Sequence, residues 1–350
     1  MDVHSTDSTP ASFYGLPKIH KENVPLRPIT SVVGSPTYEL SKYLAKILSP
    51  LQNNKYTVKN SASFVKKIRT MPIDPDEILI SFDVVSLFTC IPTQLVIEVV
   101  RERLVSDQSL VERINSSVQN IMALLQFVIH NNFSVFQGSQ QIFGGPMGSQ
   151  VSAILANLVM EYVEEKALSS APNPPKWRFR YVDDSHACLK RKHVNELHSH
   201  FSYINPHIKF TIELESEGSI AFLDTKTTKQ KDGSITVSVY RKTTHTNRYL
   251  DFESHHHPRH KFSVVRTLMN RAKNIPSTEE EIVLETNYVT ETVNFIHNCC
   301  KPCRRQEGND TDQRGLVILM LKVFQRESLK SFGVSILRQP ISLSIPSPIY

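Results

Sequence analysis

No apolar run in this chain reaches the roughly eighteen residues that a helix needs to cross a bilayer. The longest candidate, Leu316 to Phe324, is half that length and contains Lys322. The N-terminus, Met1 to Ser12, is polar and has no apolar segment of the kind a signal peptide requires. The expectation is an intracellular protein with no membrane contact. Cysteine is also scarce: Cys90, Cys188, Cys299, Cys300 and Cys303 do not form a disulfide framework. The last three fall beside His297, but a structural zinc wants a complete tetrahedral set at more regular spacing, so free thiols near a helix end are expected. His255, His256, His257 and His260, lying among basic residues ahead of a helical pattern, read as solvated surface. No strong charge excess is present either. Forty Lys and Arg against 34 Asp and Glu give +6, which suits a polyanionic partner without requiring one. Hydrophobic content of 40% and charged content of 21% are those of an ordinary globular chain, and 350 residues leave room for two or three subdomains.

Within that ordinary composition one stretch stands out. From Arg178 to Leu189, aromatic or apolar residues at 179, 181, 187 and 189 flank the adjacent carboxylates Asp183 and Asp184. The pattern predicts a strand, a tight turn with the acids at its tip, and a returning strand. Such a tip is either simply solvated or, if the strands run into a core, it needs a cation, because buried carboxylates must be paired. On these residues alone both readings stand. Upstream, Ile78 to Phe82 is a short apolar run that ends in Asp83, where a buried strand would emerge. Three acids from two strands could share two Mg²⁺ or Mn²⁺ ions, set about 3.5–4 Å apart for an in-line phosphoryl displacement.

Other local signals fit around this pair. Lys18 and Arg27 flank a Pro-rich loop around Glu22 to Val24; they are two solvated cations or a phosphate grip, Arg bidentate and Lys as a point charge. Gly144, Gly145 and Gly148-Ser149 open a turn before an apolar helix over Val151 to Leu168, where backbone can approach a ligand closely. Phe88, an aromatic just past Asp83, is by default a core residue. Helices are further predicted from Ser35 with Pro36 at its first position, over Thr93 to Val105, after Ser109 with Glu112 completing a capping box, over Val194 to Phe201, and after Ser277 with Glu280 as the box partner. Strand patterns cover 208–214 and hairpins are expected around Gln137-Gly138-Ser139 and Lys231-Asp232-Gly233. Arg241, Lys242, Arg248, Arg259, Lys261, Arg266, Arg271 and Lys273, interleaved with Tyr240, Tyr249, Phe252 and Phe262, make the most basic segment, suited to a nucleic-acid backbone.

A strand ending in Asp83 with Phe88 beyond it, then Gly145-Pro146-Met147-Gly148-Ser149-Gln150-Val151-Ser152, then Tyr181-Val182-Asp183-Asp184, resembles motifs A, B and C of reverse transcriptases. Tyr14-Gly15-Leu16-Pro17-Lys18-Ile19-His20-Lys21, Leu26-Arg27-Pro28-Ile29, Gly34-Ser35-Pro36, Ala221-Phe222-Leu223-Asp224 and Val239-Tyr240-Arg241-Lys242-Thr243-Thr244-His245-Thr246 narrow the resemblance to Penelope-like retroelements, relatives of telomerase reverse transcriptase. It runs from about residue 13 to 275.

The resemblance implies an α+β right-hand polymerase fold, with an antiparallel palm sheet and a helical thumb. After a polar tail over 1–12, fingers and palm would occupy 13–240, a basic thumb 241–300 and an irregular tail 301–350. The implied activity is RNA-directed DNA synthesis on an RNA template and DNA primer from deoxynucleoside triphosphates. Asp83, Asp183 and Asp184 would hold two Mg²⁺ ions, or Mn²⁺. Lys18 and Arg27 would grip the triphosphate, Phe88 would close off the ribose 2′ position, and Gly148 and Ser149 would line the nascent pair. Arg241, Lys242, Arg248 and Lys261 would contact nucleic acid. A nuclear location goes with such an element. The GIY-YIG endonuclease motif of many relatives is absent and the chain begins almost at the first polymerase motif, so a truncated copy is expected. The alternatives are an inactive remnant that binds nucleic acid, and a metal-dependent nuclease using the same acids.

Overall fold

Pro17, Pro25 and Pro28 disfavour helix at the start of the chain, and the backbone there forms a hairpin instead. Its strands, β1 (Ala11–Pro17) and β2 (Leu26–Ser31), run antiparallel with Leu16 opposite Arg27. The Lys18 N–H adds a rung, donating to the Pro25 carbonyl at 2.9 Å. Pro28 is tolerated because β2 is an edge strand, where a missing N–H costs no ladder bond. In this computed structural model the described residues are 8–9, 11–19, 23–52, 54–131, 133–136, 139–142, 148–250 and 254–298. Glu22, Gln137, Gly138, Gly144 to Met147, Phe252, Cys299, Cys300, Cys303 and the tail from 301 lie outside them. The chain divides into two compact units, Met1–Ile235 and Thr236–Tyr350.

In the first unit α1 (Tyr38–Leu48) begins two residues past Pro36, rather than at it, and buries Leu44, Ile47 and Leu48. A reciprocal capping box between Asn60 and Ser63 opens α2 (Ser61–Ile68). After β3 (Glu77–Val84) come α3 (Leu87–Cys90), α4 (Thr93–Ser106), α5 (Leu110–Arg113) and α6 (Val118–His130). The capping box expected at Ser109 is not made. Ser109 Oγ donates to Asp107 and accepts from Arg113, and α5 ends after one turn. The long helix starts at Ser117, whose Oγ accepts from the Asn120 N–H at 3.2 Å. The hairpin of β4 (Phe133–Phe136) and β5 (Ser139–Ile142) then joins β1 in parallel, giving the order β2-β1-β4-β5.

Helix α7 (Gln150–Ser170) buries Leu155, Leu158, Val159, Met160 and Val163 as well as Glu161 and Glu164, so it is covered on most of its circumference. It leads into β6 (Trp177–Tyr181) and β7 (Asp184–Lys190), then α8 (Val194–Ile204) and β8 (Phe210–Leu214), in an antiparallel sheet ordered β6-β7-β3-β8. The central place of β3 explains its near-continuous apolar run, since both of its faces are covered. One face, with Ile78, Ile80, Phe82, Ala187 and Leu189, shares a core with α7 and α8; Phe82 stacks on Phe201 at 5.8 Å. The other face carries Ser81, Asp83, Asp184 and His186. A second hairpin, β9 (Ser219–Phe222) and β10 (Thr225–Lys229), turns through Leu223 and Asp224.

β11 (Ile235–Val239) lies at the division. The second unit packs α9 (Pro258–Asn274) on α10 (Glu279–Asn298) through Leu268, Met269, Ala272, Val289 and Val293. Its cap differs by one residue from expectation. Thr278 Oγ1 accepts from the Glu281 N–H and the Glu281 carboxylate accepts from the Ser277 N–H, while Ser277 Oγ accepts from the Val237 N–H at 2.8 Å. Sheets that are antiparallel apart from the β1–β4 pair, with packed helices, make the chain α+β.

Candidate active site

Three acidic residues, Asp83, Asp183 and Asp184, lie at one end of the four-stranded sheet. Asp83 lies directly opposite Asp184 in the β3–β7 ladder. The Val84 N–H donates to the Asp183 carbonyl at 3.2 Å, which makes 84/183 a bonded pair and 83/184 the intervening non-bonded one. In that geometry Cα atoms approach to about 4.5 Å and side chains are closest. Between Tyr181 and Asp184, which pair, the turn has only two residues, Val182 and Asp183. Val182 adopts φ +56°, the left-handed conformation that the first position of a type II′ hairpin turn needs and that usually goes to Gly. This lifts Asp183 into solvent and sends Asp184 back into the sheet.

The electrostatics follow from that placement. Burial raises the Asp184 carboxyl to about 7, with the charges of Asp83 and Asp183 adding, against a 3.0 Å hydrogen bond from Ser81 Oγ that favours the ionised form. Next on the same face, His186 is fully buried against Phe64 and Phe222, with ring centroids at 5.1 and 5.8 Å. Burial lowers it to about 3, so it is a neutral core residue and supplies no counter-charge.

Among the described residues no group of three or more Asp, Glu, His or Cys side chains is placed to hold a metal ion. The donors these acids offer are all oxygens, and Asp183 is exposed while Asp83 and Asp184 are partly buried. Mg²⁺ is held by one or two carboxylates when substrate phosphates complete its shell, and a carboxyl raised by burial first and by neighbouring charges second is one that a cation would relieve.

Around the acids, Ser86 turns the chain at φ +54° into α3, where Phe88 packs half-buried on the core. The ring lines an apolar hollow of about 40 Å³ with Ile91, Val96, Val128 and Leu155. Gly148 has φ +140°, and a Cβ there would fall 2.2 Å from the Thr30 carbonyl oxygen, so the turn before α7 is pressed against β2 three residues from Arg27. Ser149 is buried at the N-terminus of α7 without capping it. Because Leu16 pairs with Arg27, and Lys18 is two residues on, both cations share one face of the β1–β2 hairpin.

Of the second-unit candidates, Lys242 and Arg248 are exposed. Arg241 is engaged: both guanidinium arms bond Glu285, and the group lies 4.1 Å over the Tyr288 ring. Lys261 donates to the Ser254 carbonyl at 2.7 Å.

The sequence reading missed Arg180, Glu164 and Asn157. Arg180 is fully buried on β6 and bonds Glu164 and Asn157 of α7 together with the Val182 carbonyl; Glu164 also takes Arg178 Nε at 3.0 Å. Burial lowers Arg178, and the Glu164 charge opposes that. Two arginines at alternate positions of a buried strand, with Glu161 and Glu164 in the helix before it, were the available signal.

An architecture of this kind defines a class. The chain superimposes on telomerase from Candida albicans in complex with a TWJ fragment of telomeric RNA (TM-score 0.56, 10% identity, 95% of this chain and 62% of that one). It matches the RNA-dependent RNA polymerase of a human picorbirnavirus similarly (0.56, 10%, 92% and 64%). Apo telomerase from Candida tropicalis gives 0.52 at 12% identity, over 95% and 64%. The fold is therefore the right-hand polymerase fold, and the chain spans a little under two thirds of the length of these structures. The animal helix-turn-helix domain model matches residues 248–293, and no curated protein matches the sequence.

Proposed function

We propose that this chain is an RNA-directed DNA polymerase of the Penelope-like type, which adds deoxynucleotides to a primer 3′-hydroxyl and works in the nucleus. The observation that carries the reading is the opposition of Asp83 and Asp184 beneath an exposed Asp183, at one end of the sheet of a right-hand polymerase fold. Asp83, Asp183 and Asp184 would hold divalent cations, which when bound activate the attacking hydroxyl and stabilise the leaving pyrophosphate. Lys18 and Arg27, on one face of their hairpin, orient the triphosphate. Phe88 limits the space at the sugar, and Gly148 lets backbone approach the nascent pair. In the second unit α9 carries Arg259, Lys261, Arg266, Arg271 and Lys273 and no acid, whereas α10 carries Glu279, Glu280, Glu281, Glu285 and Glu291 and no Lys or Arg. The helix presented to a nucleic-acid backbone is thus α9, joined by Lys242 and Arg248, while Arg241 braces α10.

Extension of a labelled DNA primer on an RNA template with Mg²⁺ and deoxynucleotides tests this. Wild type is expected to extend, and Asp83→Asn or Asp183→Asn to lose at least about 100-fold while keeping the fold. Extension by both variants at the wild-type rate would refute the assignment. Degradation of labelled nucleic acid without nucleotides would point to a nuclease, and salt-dependent binding without turnover to an inactive remnant.

A further inference from the structure

Fully buried arginine is unusual, and Arg180 lies directly beneath the acid-bearing turn. We infer that Arg180 is a positioning residue that fixes the Asp183-Asp184 turn through the Val182 carbonyl; the inference rests on the polymerase reading of this site.

The guanidinium is held from three sides. Nε donates to Glu164 Oε2 at 2.8 Å, Nη1 to Asn157 Oδ1 at 2.7 Å and Nη2 to Thr57 Oγ1 at 3.0 Å. Its backbone is locked as well, the N–H donating to the Tyr56 carbonyl and the carbonyl accepting from the Val58 N–H. From this fixed base Nη1 reaches the Val182 carbonyl at 2.9 Å. That carbonyl belongs to a β-branched residue at φ +56°, a conformation such residues adopt only when their surroundings impose it.

The same chain contains a comparison. The β9–β10 hairpin also turns through two residues, the first an aliphatic side chain at positive φ, Leu223 at +57°, and the second an aspartate. There the Asp224 carboxylate itself is tied to Ser61 Oγ. Asp183 has to stay exposed for chemistry, so in the acid turn the restraint comes from below, through the backbone of the preceding residue. Lysine cannot substitute, because a single ammonium on a flexible stem cannot span four acceptors on α7, Thr57 and the turn.

The test uses the full chain and two readouts. In primer extension Arg180→Lys is expected to lower kcat about 5- to 150-fold, the rate equivalent of one strained backbone residue. KM for nucleotide should stay within about threefold, because the substrate contacts are untouched. Adding Val182→Gly, which removes the strain, should recover most of kcat; a general packing defect would not be repaired there. The second readout is amide exchange at Val84, whose N–H donates to the Asp183 carbonyl. Exchange should accelerate in Arg180→Lys and return when Val182→Gly is added. If Arg180→Lys fails to fold, Asn157→Ala loosens the same guanidinium and should give a smaller loss with the same rescue. Wild-type kcat in these variants, or loss without rescue in folded protein, overturns the inference. Absence of extension by wild type sinks the polymerase reading alone, and Val84 exchange then decides the positioning role.

Discussion

Asp184 has an ordinary carboxyl pKa of 3.8 and is held at about 7, by burial first and by the charges of Asp83 and Asp183 second. Without metal, the folded protein keeps a proton that the unfolded chain has already released between about pH 4 and 7. The stabilisation from that proton is complete below the unfolded value and is lost as pH rises through about 7. Asp184→Asn, which needs no proton, is therefore expected to raise the metal-free stability at pH 8 by up to about 4 kcal/mol. The advantage should shrink towards zero near pH 4. Thermal unfolding of both proteins across this range, in chelator, measures it, and a gap independent of pH would count against a raised carboxyl. At this scale the sequence was legible where residue type alone declares a problem: two adjacent acids between apolar strands require an explanation wherever they fold. Arg180 and Glu164 were only half legible: alternate arginines on a buried strand call for an acid, but which acid faces them is a pairing that exists only in three dimensions.

Among the elements, those with long apolar periodicity were readable, and α1, α4, α7 and α8 differ from expectation by a few residues at their ends. The errors fell on short capping signals. A Ser followed three residues later by Glu describes both Ser109 and the start of α10 closely enough, yet Ser109 spends its hydroxyl on Asp107 and Arg113 and caps nothing. Local polar competitors decide this, and spacing does not encode them. The difference is measurable. Thr278→Ala should destabilise the second unit by about 1 kcal/mol, as loss of a helix cap does, and Ser117→Ala should cost the first unit a similar amount. Ser109→Ala should cost less than about 0.5 kcal/mol. Chemical denaturation of the three variants would show whether these caps rank as the bonds do; equal losses at Ser109 and Thr278 would contradict the cap assignment.

For the whole molecule, charge is segregated more sharply than a net of +6 suggests, with α9 wholly basic and α10 wholly acidic among their Lys, Arg, Asp and Glu. If α9 lies along a nucleic-acid backbone, neutralising Arg259, Arg266 and Lys273 together should weaken binding of an RNA–DNA hybrid uniformly across sequences. The slope of log affinity against log salt should flatten by roughly 2–3. Arg241→Gln should leave that slope nearly unchanged, because Glu285 already neutralises the guanidinium, and should instead lower the stability of the second unit; a salt titration distinguishes the two. The order of motifs along the chain conveyed the class of fold, whereas the engagement of Arg241 could not be read from a segment in which it is one cation among eight. With no room for even a methyl group between Gly148 and the Thr30 carbonyl, the start of α7 is seated directly on the strand that bears Arg27. Any side chain at 148 would force the start of α7 away from the Thr30 carbonyl, and with it away from the strand that carries Arg27, so the cost of enlarging this residue falls on how the two elements seat before it falls on any chemistry.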